Sequence, residues 1–576
     1  REIVTAYCDG MTGYLTLSQS QAEVERLFVE MVQAGVSDDL LHELFPGILG
    51  GMDRELIEQI KLQEPDVVPR DLWQAGAPRM MASNNWVISG NRTTTGSAIL
   101  ANDPHLETNR LPNIWYEVVL NQGDHFGIGS TMPGMPGILV GRTDRVSIGA
   151  TYSFMDAVDS WIERCKDGNF YREDEGWKPF VTREETILRK KKDPVTVIFH
   201  ENDHGVLEGD PAGSDERLLL ATRWTGRDAG AESINALAAM WSAQTAEEGM
   251  ETLGSATISF NWVFADADGS IGYQMSGKAP KRGAGMRGFV PLAGWLPEND
   301  WQGVVAPEDL PRALNPESGY LITSNQDLNS LGNADVINMP MAPYRVNRIE
   351  QLLSEGARHT AGEMNGIQGD LYSLEAEAFM SILKPLLPDT DAGRILAAWD
   401  CRYDPESRGA FLFERFYEAL RTEVFGKNGF GKDAELFLAR QTGVYADFYL
   451  NFNRILLSDR SAWFAGRTRN EVYRRVASEA LDGKILTWGE TRRITMSHII
   501  FGGQLPRFLG FDRGPVVLPG SRATVRQGQI YRSAGRATTF APSLRFSTDM
   551  GSNELNSNIA GGPSDRCSTP TFRPSC

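Results

Sequence analysis

The pattern of the sequence changes at Ser83, and this change constrains the fold more than any other feature. Before it, residues 20–63 carry apolar side chains at the i, i+3, i+4 and i+7 spacing of helices, and a Pro-rich polar linker follows. After it, short runs of β-forming residues follow one another closely as far as Asn347. A mostly helical stretch then extends to about Arg507, and strand signals return in the tail. This order predicts an α+β body with stacked layers.

The charge balance argues against two classes of partner. The 576 residues include 75 acidic and 57 basic side chains, which gives a net charge of −18. Phosphate backbones and anionic lipids would repel such a molecule. The longest basic cluster, RKKK at residues 189–192, is followed directly by Asp193 and predicts a solvated turn. Because no apolar run reaches the roughly 18 residues of a membrane span, we expect neither nucleic acid nor a membrane as a partner.

The cysteines and the first residue limit other interpretations. An odd number of cysteines at long spacings, without a CxxC pair, excludes a zinc ribbon. An optional disulfide remains, with Cys567 and Cys576 as its most plausible partners. The chain begins at Arg1 with neither an initiator Met nor a signal segment, so we expect a processed or trimmed N-terminus.

Residues 200–204 read HENDH, which matches the H-E-x-x-H pattern of zinc peptidases. That pattern binds zinc only when a helix places both imidazoles on one face. Strand-forming residues flank the motif on both sides, so we predict a hairpin turn. A zinc site formed by His200 and His204 is kept only as a remote alternative.

Two neighbouring segments then point to a family. Residues 80–90 read MMASNNWVISG and residues 100–105 read LANDPH. Together they resemble the start of the large subunit in the penicillin acylase family of N-terminal nucleophile hydrolases. In that family a precursor cuts itself before a serine, which implies a scissile bond between Ala82 and Ser83. An N-terminal serine carries its own base, an α-amino group with a reference pKa of about 7.7 to 8.0.

Further segments resemble the family at consistent spacing. Residues 141–152 (GRTDRVSIGATY) and 319–326 (GYLITSNQ) resemble its two oxyanion segments. The resemblance implies that the backbone N–H of Tyr152 and the side-chain amide of Asn325 hold the oxyanion. His105, the 23rd residue counted from Ser83, is expected to support the nucleophile through its backbone. Arg348 resembles the active-site arginine, and Arg345 is the competing candidate.

Residues 154–159 (FMDAVD) resemble the calcium-binding stretch of the family. The resemblance implies ligands from Asp156, the Val158 carbonyl and Asp159, joined by Asp335 and by Glu23 from the leading segment. Carboxylate and carbonyl oxygens are the ligands that Ca²⁺ prefers. The ion is expected to be structural, and no organic cofactor is implied.

The resemblance implies a four-layer αββα N-terminal nucleophile hydrolase fold with an additional, mostly helical lobe. We divide the chain into the end of the small subunit with its linker (1–82), the nucleophile core (83–346), the helical lobe (347–507) and a strand-rich tail (508–576). The expected product is an α/β heterodimer cut from one zymogen, in the periplasm or secreted. We expect the chain to be incomplete at both ends.

The implied activity is hydrolysis of a linear amide, a carbon–nitrogen bond other than a peptide bond, between an apolar acyl group and a polar amine. Alignment to family pocket positions assigns acyl contacts to Leu106, Val140 and Phe154, although ordinary core packing would explain them equally. The amine stays open between a β-lactam nucleus, as in antibiotic biosynthesis, and a homoserine lactone. A non-catalytic calcium-binding relative of the fold is the alternative from another class.

Overall fold

The computed structural model describes residues 16, 19–62, 82–189, 191–228, 230–356, 358–427, 429–431, 445–533 and 536–562. Most of the predicted linker and the predicted pair Cys567 and Cys576 lie outside these residues. Within them, Cys165 and Cys401 are buried free thiols. None of the described helices combines the length and the apolar composition needed to cross a bilayer.

The α-helices of the described residues are numbered here in chain order. They are α1 (Ser20–Gln33), α2 (Asp38–Leu44), α3 (Arg54–Glu58), α4 (Ala231–Ala239), α5 (Ala246–Gly254), α6 (Tyr344–Glu355), α7 (Ala361–Gln368), α8 (Leu374–Leu383), α9 (Asp391–Ala397), α10 (Arg408–Arg421), α11 (Tyr445–Leu457), α12 (Arg469–Ala480) and α13 (Trp488–Thr491). The helical lead and the helical lobe are thus where the apolar spacing predicted them.

The strands are numbered in the same way. They are β1 (Ala82–Ile88), β2 (Ile99–Leu106), β3 (Arg110–Leu111), β4 (Tyr116–Gln122), β5 (His125–Thr131), β6 (Val140–Thr143), β7 (Val146–Tyr152), β8 (Val158–Lys166), β9 (Asn169–Arg172), β10 (Gly176–Pro179), β11 (Val181–Ile187), β12 (Val195–Asn202), β13 (Gly205–Glu208), β14 (Arg217–Trp224), β15 (Phe260–Asp266), β16 (Ile271–Met275), β17 (Leu292–Ala293), β18 (Arg312–Leu314), β19 (Tyr320–Thr323), β20 (Arg493–His498), β21 (Asp512–Val517), β22 (Gln529–Ser533), β23 (Arg536–Pro542), β24 (Leu544–Asp549) and β25 (Leu555–Ile559).

The chain divides into two compact units, the first formed by residues 1–79, 155–229 and 278–305 and the second by the rest. The first unit contains one eight-stranded sheet in the order β10-β9-β8-β14-β13-β12-β11, with β17 beside β8. Helix α1 packs against β8. An aromatic cluster in this unit consists of Phe28 from α1, Phe45 and Phe289, whose ring centroids lie 4.7 to 5.8 Å apart. The predicted division at residues 82, 346 and 507 stays a prediction.

The second unit contains the predicted αββα layers. Sheet A has the order β19-β1-β2-β23-β22, with β24 paired to β2 and β25 paired to β24. Sheet B has the order β18-β16-β15-β7-β6-β5-β4. The two sheets face each other through β1 and β2 on one side and β7 and β15 on the other. Helices α6 and α7 cover sheet A, and α5 covers sheet B. The predicted fold class is confirmed.

The two faces of β1 explain these layers. Trp86 and Ile88 pack with Ile349 and Met364 of the covering helices in one buried cluster. The residues between them along the strand point to the other face, because side chains alternate across a strand. Every residue of β1 is buried, as expected for a strand with a layer on each side.

The boundary of the helical stretch differs from the prediction. Helix α13 ends at Thr491, and Arg493–His498 forms a strand. Ile494 and Met496 alternate with exposed neighbours, and their strand pairs with β3 and β21. Pairing with β3, far away in the sequence, is a tertiary contact that local periodicity does not reveal.

Candidate active site

Ser83 lies near the start of β1, a strand paired on both sides. Its register places it opposite Pro104 of β2, while Asn85 pairs with Thr323 of β19. The side chain is 5% exposed. The Ser83 hydroxyl donates to the carbonyl oxygen of Ala82, so it lies against the peptide bond that the resemblance implies is cut.

Asn325 contacts both Ser83 and Tyr152. Its Oδ1 accepts from the Ser83 N–H at 2.9 Å, and its Nδ2 donates to the Tyr152 carbonyl at 2.6 Å. Since Oδ1 receives backbone and guanidinium donors, the orientation of this amide is fixed. The backbone φ of Asn325 is 68°, the left-handed region. A non-glycine residue held there costs free energy and is typical of functional sites.

Arg345, the competing candidate, is the arginine that reaches Ser83. It is fully buried in the first turn of α6. Its Nη1 donates to the Ser83 carbonyl at 2.8 Å and to Asn84 Oδ1 at 2.7 Å, and its Nη2 donates to Asn325 Oδ1 at 2.9 Å. The guanidinium therefore joins the backbone of residue 83 to the side chain of Asn325.

Arg348, the arginine that the sequence favoured, lies elsewhere. Its Nε donates to Asp370 Oδ2 at 2.8 Å, and its guanidinium lies 4.7 Å above the Tyr372 ring. Three residues advance a helix by roughly 4.5 Å along its axis, which carries Arg348 past the contacts that Arg345 makes. The structure thus corrects the assignment of position: Arg345 lies at Ser83 and Arg348 does not.

His105 belongs to a buried polar network behind Ser83. Its backbone pairs with Ala82, the residue before Ser83, and the supporting role expected for it stays a prediction. Its Nδ1 lies 2.7 Å from Gln527 Oε1, and its Nε2 lies 3.0 Å from Asp103 Oδ2. Gln527 Nε2 donates to the Arg522 carbonyl, so Gln527 presents its oxygen to the imidazole and Nδ1 is the donor.

Asp103 and Asn84 complete this network. Asn84 Nδ2 donates to Asp103 Oδ2 at 3.2 Å and to the Val525 carbonyl at 2.9 Å. Burial raises the pKa of Asp103, although the neighbouring His105 counteracts the rise. Sequence reasoning missed Asn84, Asp103 and Gln527 as site residues. The available signal was the run of polar residues at 84, 85, 102 and 103 within strand-forming segments.

The residues predicted to line an acyl pocket are distributed over both sheets. The Phe154 ring lies 5.1 Å from the Tyr152 ring in an edge-to-face arrangement, next to the Asn325 contact. Leu106 ends β2 in sheet A and Val140 begins β6 in sheet B, and both are buried. An acyl pocket formed by these residues stays a prediction.

The predicted metal ligands Asp156 and Asp159 share a guanidinium. Arg282 Nη2 lies 2.7 Å from Asp156 Oδ2, and Arg282 Nε lies 2.8 Å from Asp159 Oδ2. Trp301 Nε1 also donates to Asp159. Gly288 allows this packing, because a Cβ atom there would lie 2.2 Å from Asp156 Oδ2. Val158 begins β8 beside the two aspartates, and its side chain is buried.

Glu25, and not Glu23, is the α1 carboxylate beside this pair. Both Glu25 oxygens are buried without a hydrogen-bond partner among the described residues. Burial, with the neighbouring Asp159 carboxylate, raises the pKa of Glu25 well above its usual value. Glu23 is half-buried. Asp335 belongs to the second unit and is exposed to solvent.

The carboxylates around Arg282 in the first unit are candidate ligands for a cation. Glu25, Asp156 and Asp159 are carboxylates buried near a single guanidinium. Their oxygens are hard donors of the kind that calcium requires. As the side chains stand, no group of three or more His, Cys, Asp or Glu within the described ranges is placed to hold a metal. The carboxylate oxygens are of the kind that Ca²⁺ binds, while the Arg282 guanidinium now pairs with both aspartates.

The H-E-x-x-H segment forms the predicted hairpin. His200 lies on β12, and His204 lies in the turn before β13. His204 contacts Glu163 Oε1 at 2.6 Å and Asp300 Oδ1 at 2.8 Å, and it stacks on Trp161. Burial lowers the pKa of His204, but the bonds to both carboxylates outweigh this and raise it. The helix that a zinc peptidase site requires is not formed at these residues.

Comparison with known proteins agrees with the fold. The sequence model of the Penicillin amidase family matches residues 1–573. The chain belongs to this family. The predicted resemblance to the penicillin acylase family is thus confirmed.

Two relatives within this family are similar to the chain. It is 28% identical over 487 residues to Penicillin acylase 2 proenzyme of a Pseudomonas species, covering 81% of the chain and 62% of that protein. It is 28% identical over 377 residues to acyl-homoserine lactone acylase QuiP of Pseudomonas aeruginosa, covering 60% and 44%. The chain thus spans less than two thirds of the length of these curated relatives.

A solved structure shares the fold. The thermostable penicillin G acylase of Alcaligenes faecalis superposes with a TM-score of 0.65 at 18% identity, covering 86% of this chain and 93% of that one. The layered sheets described above are therefore arranged as in that penicillin G acylase.

Proposed function

We propose that this chain is a self-processing amidohydrolase whose nucleophile is Ser83. One observation carries the proposal: Asn325 and Arg345 bind the nitrogen and the carbonyl oxygen of residue 83, while its hydroxyl lies against the Ala82 carbonyl. A serine fixed in this way on a central strand can attack the preceding carbonyl. The name of the relative Penicillin acylase 2 proenzyme supports processing as well.

Processing would proceed in two steps. Ser83 Oγ attacks the carbonyl carbon of Ala82, the peptide C–N bond breaks, and the hydroxyl proton passes to the released nitrogen. Water then hydrolyses the ester, which leaves a carboxylate on Ala82 and a free α-amine on Ser83. That amine is the base for the second reaction, because its reference pKa of about 7.7 to 8.0 leaves part of it neutral near pH 7.

Turnover would use the same atoms. The amine of Ser83 takes the hydroxyl proton, and Oγ attacks the substrate amide to form a tetrahedral intermediate. Asn325 Nδ2 and the Tyr152 N–H stabilise the oxyanion. The amine product leaves with a proton, and water releases the acid from the acyl-enzyme. Arg345 acts as a positioning residue, since it binds Asn325 Oδ1 and so keeps Nδ2 on the side of Tyr152.

The proposed substrate is an apolar acyl group joined by an amide to a polar amine. The aromatic pair of Tyr152 and Phe154 next to Asn325 supports an apolar acyl group. The amine stays open between a β-lactam nucleus and a homoserine lactone, since relatives named for both are similar to this chain. Phenylacetyl, glutaryl and long-chain acyl amides, assayed in parallel, separate these substrate classes.

Processing has a direct test. On a denaturing gel, the 63.7 kDa chain is expected to give two bands, and the larger fragment should start with Ser-Asn-Asn-Trp in N-terminal sequencing. Both fragments should elute together on gel filtration as an α/β heterodimer. A single uncut chain without turnover, in protein that is correctly folded, would favour the non-catalytic relative of the fold instead.

We also propose a structural Ca²⁺ ion held by Asp156, Asp159 and Glu25, with Glu25 in the place given to Glu23. Supplying Ca²⁺ to chelator-treated protein is expected to raise the melting temperature by several degrees, because an ion at 100 times its Kd stabilises by about 2.7 kcal/mol. Glu25→Gln should abolish the rise and Glu23→Gln should keep it. Equal melting temperatures with Ca²⁺ and with chelator would contradict the proposal.

A further inference from the structure

A cavity lies in the helical part of the second unit, and none of the residues that contact Ser83 line it. Its volume is about 560 Å³, within the range of small-molecule sites. It is bounded by α10, by α13 and by the segment from Ser521 to Tyr531. Aromatic rings and four arginines line it; the arginines are Arg415, Arg421, Arg492 and Arg522.

The Nε–H group of Arg492 is a hydrogen-bond donor at the wall of this cavity. Its guanidinium lies 4.1 Å above the Trp488 ring, which fixes its plane on one wall of the cavity. Its Nε is buried and has no hydrogen-bond partner among the described residues. A buried donor without an acceptor is destabilising, and more so when it is charged. An acceptor in the cavity would remove this cost.

Two further side chains present donors to the same space. Gln529 Nε2 is buried and, within the described parts of the chain, also lacks a hydrogen-bond acceptor. The Gln529 oxygen accepts from the Tyr531 hydroxyl, so this amide is turned with its N–H₂ group as the open end. Arg415 donates to the backbone carbonyls of Ala480 and Lys484, which are neutral partners.

Two acidic side chains, Glu414 and Glu418, also line the cavity. Glu414 accepts from Arg522 Nη1 at 2.8 Å and from the Tyr403 hydroxyl at 2.6 Å. Arg522 is bound on its other edge by Glu375, with its guanidinium 3.9 Å above the Tyr417 ring. Arg522 is therefore neutralised by Glu414 and Glu375. Because four arginines and two glutamates line the cavity, its lining carries an excess of positive charge.

We propose that this cavity binds a small organic anion, with a carboxylate or phosphate group between Arg492, Gln529 and Arg415 and an aromatic or apolar portion against Trp488. Guanidinium groups match the planar, two-oxygen geometry of such anions, and aromatic walls add contact area. The donors without acceptors, and not the volume alone, select an anion over a neutral ligand.

Calorimetry on the full chain with phenyl phosphate, benzoate and inorganic phosphate tests this site. We expect phenyl phosphate or benzoate to bind with a Kd below about 1 mM, and whichever binds more tightly identifies the anionic group. Inorganic phosphate should bind more weakly, because it lacks the ring. Arg492→Gln should weaken binding at least tenfold, about 1.4 kcal/mol.

Two further variants keep the test decisive. Gln529→Leu removes a buried donor without removing a charge, and it should also weaken binding. It therefore tests the site even if Arg492→Gln fails to fold. Arg394→Gln is the matched control, because Arg394 is exposed and pairs with Asp389 and Asp391. The proposal is overturned if none of the three anions binds at 10 times the expected upper Kd of about 1 mM. It is also overturned if Arg492→Gln and Arg394→Gln bind the anions equally well.

Discussion

Replacing Ser83 with alanine is expected to leave one uncut chain without measurable amide hydrolysis. The variant lacks the Ser83 hydroxyl that lies against the Ala82 carbonyl. Because the chain is then not cut, no free α-amine forms at residue 83. Loss of the nucleophile in a serine hydrolase costs on the order of 10⁴- to 10⁶-fold in kcat. Denaturing gels and an amide assay on the same preparation measure both effects.

Two matched variants make this result specific. Ser83→Cys keeps a nucleophile at the same position and should still be cut, with altered turnover. Ser89→Ala removes a serine one residue beyond the end of β1, where the hydroxyl only contacts Asn91 and Gly319. It should behave like the unaltered protein. Normal cleavage of Ser83→Ala at the same bond would remove the basis of the proposed mechanism.

Replacing Arg345 with methionine is expected to reduce both activity and stability. Four buried oxygens, on Ser83, Asn84, Ser324 and Asn325, would lose a charged donor. The free energy of unfolding should fall by about 3 kcal/mol or more. Because Asn325 would lose its orientation, kcat should fall roughly 10²-fold, as for the loss of one oxyanion donor, with KM changed far less.

Arg348→Met is the control for this experiment. It removes the bond to Asp370 and the stacking on Tyr372, and should cost about 1 kcal/mol of stability with kcat retained. Arg345→Lys should recover part of the activity, since an ammonium can reach one oxygen but cannot bridge several. If Arg348→Met lost kcat while Arg345→Met kept it, the positional assignment made here would be reversed.

The layer order was predictable because it depends on local patterns. Apolar spacing marks α1, and the closely spaced strand runs mark the hairpin of β1 and β2. Both signals survive in the structure because each element buries the face that its sequence makes apolar. The start of β20 was not predictable, since its pairing with β3 joins residues far apart in the chain.

The choice between neighbouring residues was not predictable for a different reason. Arg345 and Arg348 lie on one helix, and Glu23 and Glu25 lie on another. Which member of each pair is buried depends on the rotation of the helix against its neighbours, which composition does not give. Buried Arg and Glu are rare, so burial was the less expected state for Arg345 and Glu25, the two that the structure selects.

The hydrogen bonds around residue 83 are indifferent to whether the backbone is intact before it. Asn325 Oδ1 accepts equally from a peptide N–H or from an amine, and Arg345 binds an oxygen on the far side of the break. Under the proposed function, maturation and turnover would therefore depend on the same hydrogen bonds, and a substitution that breaks them would impair both. Substitutions of the Tyr152 and Phe154 side chains, whose rings pack against each other, would be expected to change the acyl preference without affecting processing.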